Sequence, residues 1–237
     1  MLRPSFEDTV RAAMPDAARD TVEPMQVCLA STSPARLMLL RQAGIEPLTR
    51  APDTDEDAVT AQAAAEHGAD LPPDELVLLL ARAKAADVAN RLAAEEPDFD
   101  GIVIGGDSMF ALGGRVYGKP YTAEEATRRW REMRGATGIL HSGHSVFRLQ
   151  PGQQPREATA VAEAAVTFAD DITDDEIAAY VASGEPLHVA GAFTVDSLGG
   201  AFITRVEGDP STVVGMSLST IRRLTSGLGI TWTDLWS

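Results

Sequence analysis

Gly101-Ile-Val-Ile-Gly-Gly-Asp107-Ser-Met-Phe-Ala-Leu-Gly-Gly-Arg-Val-Tyr-Gly-Lys119-Pro120 is the stretch around which the rest of the chain can be placed. Ile102, Val103 and Ile104 form a short β-branched run of the kind expected for a strand covered on both faces. Gly105-Gly106 then lets the backbone come close to whatever Asp107 faces. The acid is expected where a strand ends. In open α/β sheets that rim is where ligands bind, so a carboxylate followed after a short hairpin by a lysine suggests a site for a metal and an anion. An Asp turn-former with a surface lysine explains this stretch about as well.

Upstream, Val27 to Gly44 reads as strand, tight turn and helix. Ser33 suits the N-cap, Pro34 the first helical position and Gly44 the C′ stop. The helix N-terminus, the Ser31 and Ser33 hydroxyls and the Arg36 guanidinium could together cradle a phosphate, although a capped helix with a solvated arginine fits equally. Asp53-Thr-Asp55-Glu56-Asp57 reads as a solvated acidic loop that could lend one carboxylate to a divalent ion. Asp74 is expected to cap a helix whose buried stripe is Leu76, Leu79, Leu80 and Ala83. Lys84 continues that stripe, and its ammonium is expected to reach water.

Downstream, Thr122-Ala-Glu-Glu125 is a capping box opening a helix through Trp130 and Met133. Ile139 to Leu149 and Ala158 to Phe168 read as a long antiparallel hairpin, and Thr173 to Glu176 as a second capping box. A Gly-rich loop around Asp196, a strand, a turn and a final helix follow. Residues 1–24 look like an extension holding one short amphipathic helix on Phe6, Val10 and Met14, and residues 25–237 like a single domain.

Composition narrows the function. The chain has 237 residues, 44% hydrophobic and 23% charged, with no run approaching the roughly 18 apolar residues of a membrane span. A soluble cytoplasmic protein is expected. The net charge of -15 opposes non-specific attraction to nucleic acid or an anionic membrane, so a polyanionic ligand would need local cations or a metal. The only cysteine, Cys28, lies in an apolar run and reads as a small core residue. Gly113 and Gly118-Lys119 imitate a P-loop, but Pro120 stands where that motif needs a hydroxyl. His141 and His144 fall on opposite faces of a strand and make no zinc pair.

Leu29-Ala-Ser-Thr-Ser-Pro-Ala-Arg36, Ala81-Arg-Ala-Lys84, Gly105-Gly-Asp107, Gly118-Lys119-Pro120, Tyr180 to Pro186 and Ala190 to Phe193, in this order and spacing, resemble the Maf family of nucleotide pyrophosphatases. The resemblance implies an α/β fold in which an elongated mixed sheet and flanking helices form two lobes around a nucleotide cleft, akin to the inosine triphosphate pyrophosphatases. It implies hydrolysis of a nucleoside triphosphate to the monophosphate and pyrophosphate with a divalent metal, Mg or Mn, and so a part in clearing unwanted nucleotides. It assigns Asp107 as proton acceptor and metal ligand, Glu56 as a second metal ligand, and Ser31, Arg36, Lys84 and Lys119 as triphosphate contacts.

Ala35, Ser108 and Asp196 depart from the patterns associated with the family's pyrimidine-selective and methylguanine-selective groups, which leaves the base open while placing Asp196 among the substrate contacts. Two other classes compete: a nucleotide-sensing regulator of septum formation, and a phosphatase releasing orthophosphate. Monomer and homodimer are both compatible with the sequence.

Overall fold

A computed structural model describes residues 24–237 of the protein; the helix expected around Phe6, Val10 and Met14 lies outside them. Among the described residues the strands are β1 (Gln26–Ala30), β2 (Leu48–Thr49), β3 (Gly101–Leu112), β4 (Arg115–Tyr117), β5 (Thr137–Leu149), β6 (Arg156–Phe168) and β7 (Ile203–Gly208). The α-helices are α1 (Pro34–Gln42), α2 (Glu56–His67), α3 (Pro73–Glu95), α4 (Ala123–Met133), α5 (Asp174–Ala182), α6 (Pro210–Val214) and α7 (Leu218–Gly227). The strands form one mixed sheet in the order β2-β1-β3-β5-β6-β7, with β4 returning on β3. β1 is parallel to β2 and β3, and the remaining pairs are antiparallel. No helix among these residues is long and apolar enough to cross a membrane.

Strand alternation builds a core on each face of the sheet. Val27, Leu29, Ile102 and Ile104 face Leu39 and Leu40 of α1 and Ile221 of α7. Cys28, Ala30 and Val103 face Val88, Ala89 and Leu92 of α3. Burial pushes the Cys28 thiol up to about 11, in keeping with a core residue. A third cluster forms the other lobe, where Phe110 at the far end of β3 meets Trp130, Phe168, Tyr180 and Phe193. Its rings pack edge to face, with centroids 5.0 Å apart for Phe110–Phe193 and Trp130–Tyr180. β3 thus passes from one lobe into the other.

Local signals place most elements. Ser33 caps α1, and Gly44 follows its end at φ +80°. Gly113 and Gly114, both at positive φ, form the two-residue turn between β3 and β4 that the hairpin needs. Thr173 and Glu176 close a full capping box on α5. On α4 only half a box forms, because Thr122 accepts from Glu125 N–H while the Glu125 carboxylate pairs with Arg128 and Arg129.

Three expectations are corrected. The acidic run is a loop only as far as Asp55, which caps α2; Glu56 and Asp57 open the helix where its dipole favours acids, and the Ala-rich stretch continues it. Pro72, not Asp74, occupies the N-cap of α3, and the buried stripe is Val77, Leu80, Ala81, Lys84 and Ala85. The stripe shifted by one residue because packing on the sheet, rather than the leucine spacing, sets its phase. Asp107 does not end a strand. β3 continues five residues beyond it, and it is β1 that stops, its last residue Ala30 pairing with Gly105.

Candidate active site

Gly105 and Gly106 point to opposite faces of β3, and each admits a different cation. A Cβ on Gly105 would stand 2.6 Å from the Ala81 carbonyl oxygen, and one on the neighbouring Gly143 of β5 would stand 2.2 Å from that of Val77. The two glycines therefore let α3 lie directly on the sheet. A Cβ on Gly106 would instead meet Arg36 Nε at 3.4 Å. By the same alternation Asp107 faces α3 and Ser108 faces Arg36.

On the α3 side, Lys84 Nζ donates to Asp107 Oδ1 at 2.7 Å and lies 2.9 Å from Glu56 Oε1. Lys84 is only 7% exposed and Asp107 8%, so the lysine does not carry its ammonium to water as expected. α3 lies directly on the sheet beside it, and the two carboxylates replace the lost hydration. Burial raises the Asp107 pKa despite the opposing pull of Lys84 and Arg36, with Glu56 adding to the rise. The carboxylate is thereby a better proton acceptor than an ordinary aspartate.

On the opposite side, Arg36 donates from Nε to the Gly215 carbonyl at 2.8 Å, from Nη1 to Ser31 Oγ at 3.3 Å and from Nη2 to Ser108 Oγ at 3.2 Å. Ser108 Oγ lies 2.6 Å from Ser142 Oγ and donates toward the Gly215 carbonyl at 3.1 Å. Ser31, buried at the end of β1, also accepts from Ser33 N–H at 3.1 Å. The guanidinium carries more donors than these bonds use, so it can brace the site and still face an anion.

Sequence reasoning missed Ser142, Gly215, His144 and Asp209 as parts of this side. His144 is fully buried, and its Nε2 accepts from Ser217 N–H at 2.9 Å. Burial, and then Arg36, hold its pKa down to about 4. Asp209 accepts from Ser211 N–H and Oγ and from Ser217 Oγ, Ser219 N–H and Ser219 Oγ. Burial alone would raise its pKa, but the serine donors hold it well below the usual carboxylate range. The recurring serines at 211, 217 and 219 were the available signal, and they shape the turn that presents the Gly215 carbonyl.

The structure brings Ser31, Arg36, Glu56, Lys84 and Asp107 together but leaves Lys119 and Asp196 exposed, with no hydrogen bond or ion pair to the described residues. Both sit on braced backbone. Gly118 O accepts from Arg129 Nη1, Pro120 is buried, and Tyr121 at φ 60° donates its N–H to Leu187 O at 2.9 Å. Non-glycine residues adopt such a φ at some cost, so the conformation beside Lys119 is imposed by its surroundings. Asp196 follows the turn Ala190–Ala192, whose Gly191 would bring a Cβ within 2.9 Å of Phe110 Cβ. Phe110 lies three residues along β3 from Asp107, about 10 Å at strand rise.

No group of three His, Cys, Asp or Glu side chains converges among the described residues. Glu56 and Asp107 do converge on one cation, the Lys84 ammonium. Two carboxylates completed by substrate phosphates are an ordinary oxygen set for Mg²⁺, so the pair fits a divalent ion.

A family model described as Maf-like protein matches residues 26–228. A nucleoside triphosphate pyrophosphatase of Leifsonia xyli subsp. xyli is 58% identical, over 90% of this chain and 97% of that protein. Proteins of the same description from Salinispora tropica and Rhodococcus jostii are 48% and 47% identical, over 90% and 88% of this chain and 88% and 95% of theirs. Among solved structures, the Staphylococcus aureus Ham1 protein aligns at TM-score 0.29 and 10% identity over 61% of this chain and 72% of that one. By the family model and by these relatives, the chain belongs to the Maf family.

Proposed function

We propose that this protein hydrolyses nucleoside triphosphates to the monophosphate and pyrophosphate. The observation that carries the reading is the buried Lys84–Asp107 pair with Glu56 beside it, set across β3 from Ser31 and Arg36. The description of the relatives as nucleoside triphosphate pyrophosphatases supports it. In this reaction a water gives its proton to Asp107, its oxygen bonds to the α-phosphorus, and the bond from that phosphorus to the oxygen bridging to the β-phosphate breaks. The raised pKa of Asp107 suits the first step. Lys84, Arg36 and Lys119, with the N-terminus of α1, neutralise the charge that grows on the departing pyrophosphate. Glu56 and Asp107 would hold a divalent ion, Mg or Mn, which when bound supplies Lewis-acid polarisation of phosphate oxygens.

Asp196 is the base contact in this reading. An ionised carboxylate only accepts hydrogen bonds, so it favours guanine-type bases, which present N1–H and an amine, or cytosine, which presents an amine, over uracil or thymine, which present mainly carbonyl oxygens. A panel of triphosphates with separate detection of pyrophosphate and orthophosphate tests the proposal. Pyrophosphate is expected, and orthophosphate as the only inorganic product would overturn it.

A further inference from the structure

The loop from Thr194 to Gly199 contains no strand or α-helix, yet one carboxylate ties almost all of it down. Glu185 Oε1 accepts from Tyr180 Oη at 2.9 Å, from Thr194 Oγ1 and from Gly199 N–H at 3.0 Å. Its Oε2 accepts from Ser197 Oγ at 2.7 Å and Leu198 N–H at 3.2 Å. These partners lie on both sides of Asp196 and omit only Val195 and Asp196 itself. Gly199 is drawn in so closely that a Cβ there would stand 2.6 Å from Tyr180 Oη. Tyr180 in turn packs on Trp130 and Phe202, so the knot is anchored in the aromatic core of its lobe.

We infer that Glu185 is a positioning residue for base selection: it holds the 194–199 loop rigid so that the Asp196 carboxylate, exposed and without a partner among the described residues, is presented to the nucleobase in one orientation. The inference rests on the proposed function and on Asp196 as the base contact. Its physical content is preorganisation. A loop already ordered loses little freedom when a base binds, and hydrogen-bond discrimination requires donor and acceptor to be fixed in direction. The core of this lobe is closed by its aromatic rings, and five donors on one acid exceed what capping a turn requires. Glu185 touches neither the Lys84–Asp107 pair nor Arg36, so it should govern base preference and leave the chemical step alone.

The test measures dissociation constants and steady-state constants for GTP, CTP, UTP and ATP with the wild type, Glu185→Gln, Ser197→Ala and Asp196→Gln. Glu185→Gln turns an amide NH₂ toward existing donors and should loosen the loop. The expected result is a fall of about tenfold in the ratio of best to worst base, carried by KM and by the dissociation constants, with kcat for the best base changed less than about threefold. Inhibition by inorganic triphosphate, which has no base, should not change. Ser197→Ala removes a single donor and should move the ratio in the same direction by less, which keeps the test decisive if Glu185→Gln folds poorly. Asp196→Gln, whose amide donates as well as accepts, should shift the preference toward UTP, and no shift would remove residue 196 from base contact. An unchanged ratio in both loop variants, a uniform loss of kcat for every base, or a wild type that binds all bases equally would overturn the inference. A wild type that binds with base preference but releases no pyrophosphate would overturn the proposed reaction alone.

Discussion

Lys84 and Asp107, twenty-three residues apart in the chain, meet as an almost fully buried ion pair because two glycines on adjacent strands let a helix lie against the sheet. Such a pair is poor value as a stabilising device, since desolvating both charges offsets most of their attraction. Its position, where β1 ends and β3 runs on into the second lobe, accounts for it better as equipment for chemistry.

Asp107→Asn should slow turnover by roughly 10²–10⁴, the usual scale for losing a general base. At neutral pH it should lower the melting temperature less than removal of Lys84 does, because the ammonium keeps Glu56 and the new amide oxygen as partners. The folded-state pKa of Asp107 is raised above 3.8, so this group favours folding below that value and costs stability as pH rises through its folded pKa. Kinetics and calorimetry on the same preparation check both halves. Retained activity with a melting temperature several degrees lower would make Asp107 a structural counter-ion.

Lys84→Met fills a similar volume but leaves Glu56 and Asp107 facing each other without a cation. We expect a loss of roughly 3 kcal/mol, the scale for breaking a buried pair, eased by protonation of Asp107. If a divalent ion uses the same two carboxylates, Mn²⁺ should raise the melting temperature of the variant more than that of the wild type. Equal shifts would separate the metal from these oxygens.

Lys119→Ala should raise KM for triphosphates about 10–100-fold, the worth of a charge-assisted contact, and leave thermal stability unchanged because the side chain bonds to no described residue. An unchanged kcat/KM, or a clear drop in melting temperature, would remove it from the site.

His144 predicts the acid limb of stability. Its pKa falls from 6.5 in the unfolded chain to about 4 in the fold, so its contribution is complete above pH 6.5 and is lost as pH falls toward 4. The loss amounts to about 3 kcal/mol. His144→Gln, whose carbonyl can still accept from Ser217 N–H, should flatten melting temperature against pH across that window. A slope as steep as the wild type's would assign the acid limb to other groups.

The elements themselves were legible because their causes are local. Ser33, Pro34 and Gly44 bound a helix, Gly113-Gly114 makes a hairpin turn, and Thr173 with Glu176 closes a capping box, each by contacts within a few residues. The candidate site was legible as a set of residue types. Ser31, Arg36, Glu56, Lys84 and Asp107 are the hydroxyl, cations and acids that handling a triphosphate requires, and their order along the chain resembles a known family.

What only the tertiary structure decided is which of these groups lose water. The sequence by itself set Lys84 on an apolar helical stripe, where a flexible stem ordinarily carries the ammonium to solvent. Its burial depends on Gly105 and Gly143, which act from two strands distant in sequence by removing the side chains that would hold α3 away. The same holds for Gly215, Ser142, His144 and Glu185, whose roles come from partners far along the chain or from a directionless Gly-rich loop. Propensity and periodicity report neighbours within a turn or two. The pairing of charges in a low-dielectric interior is set by distances between elements, and those exist only once the sheet has assembled.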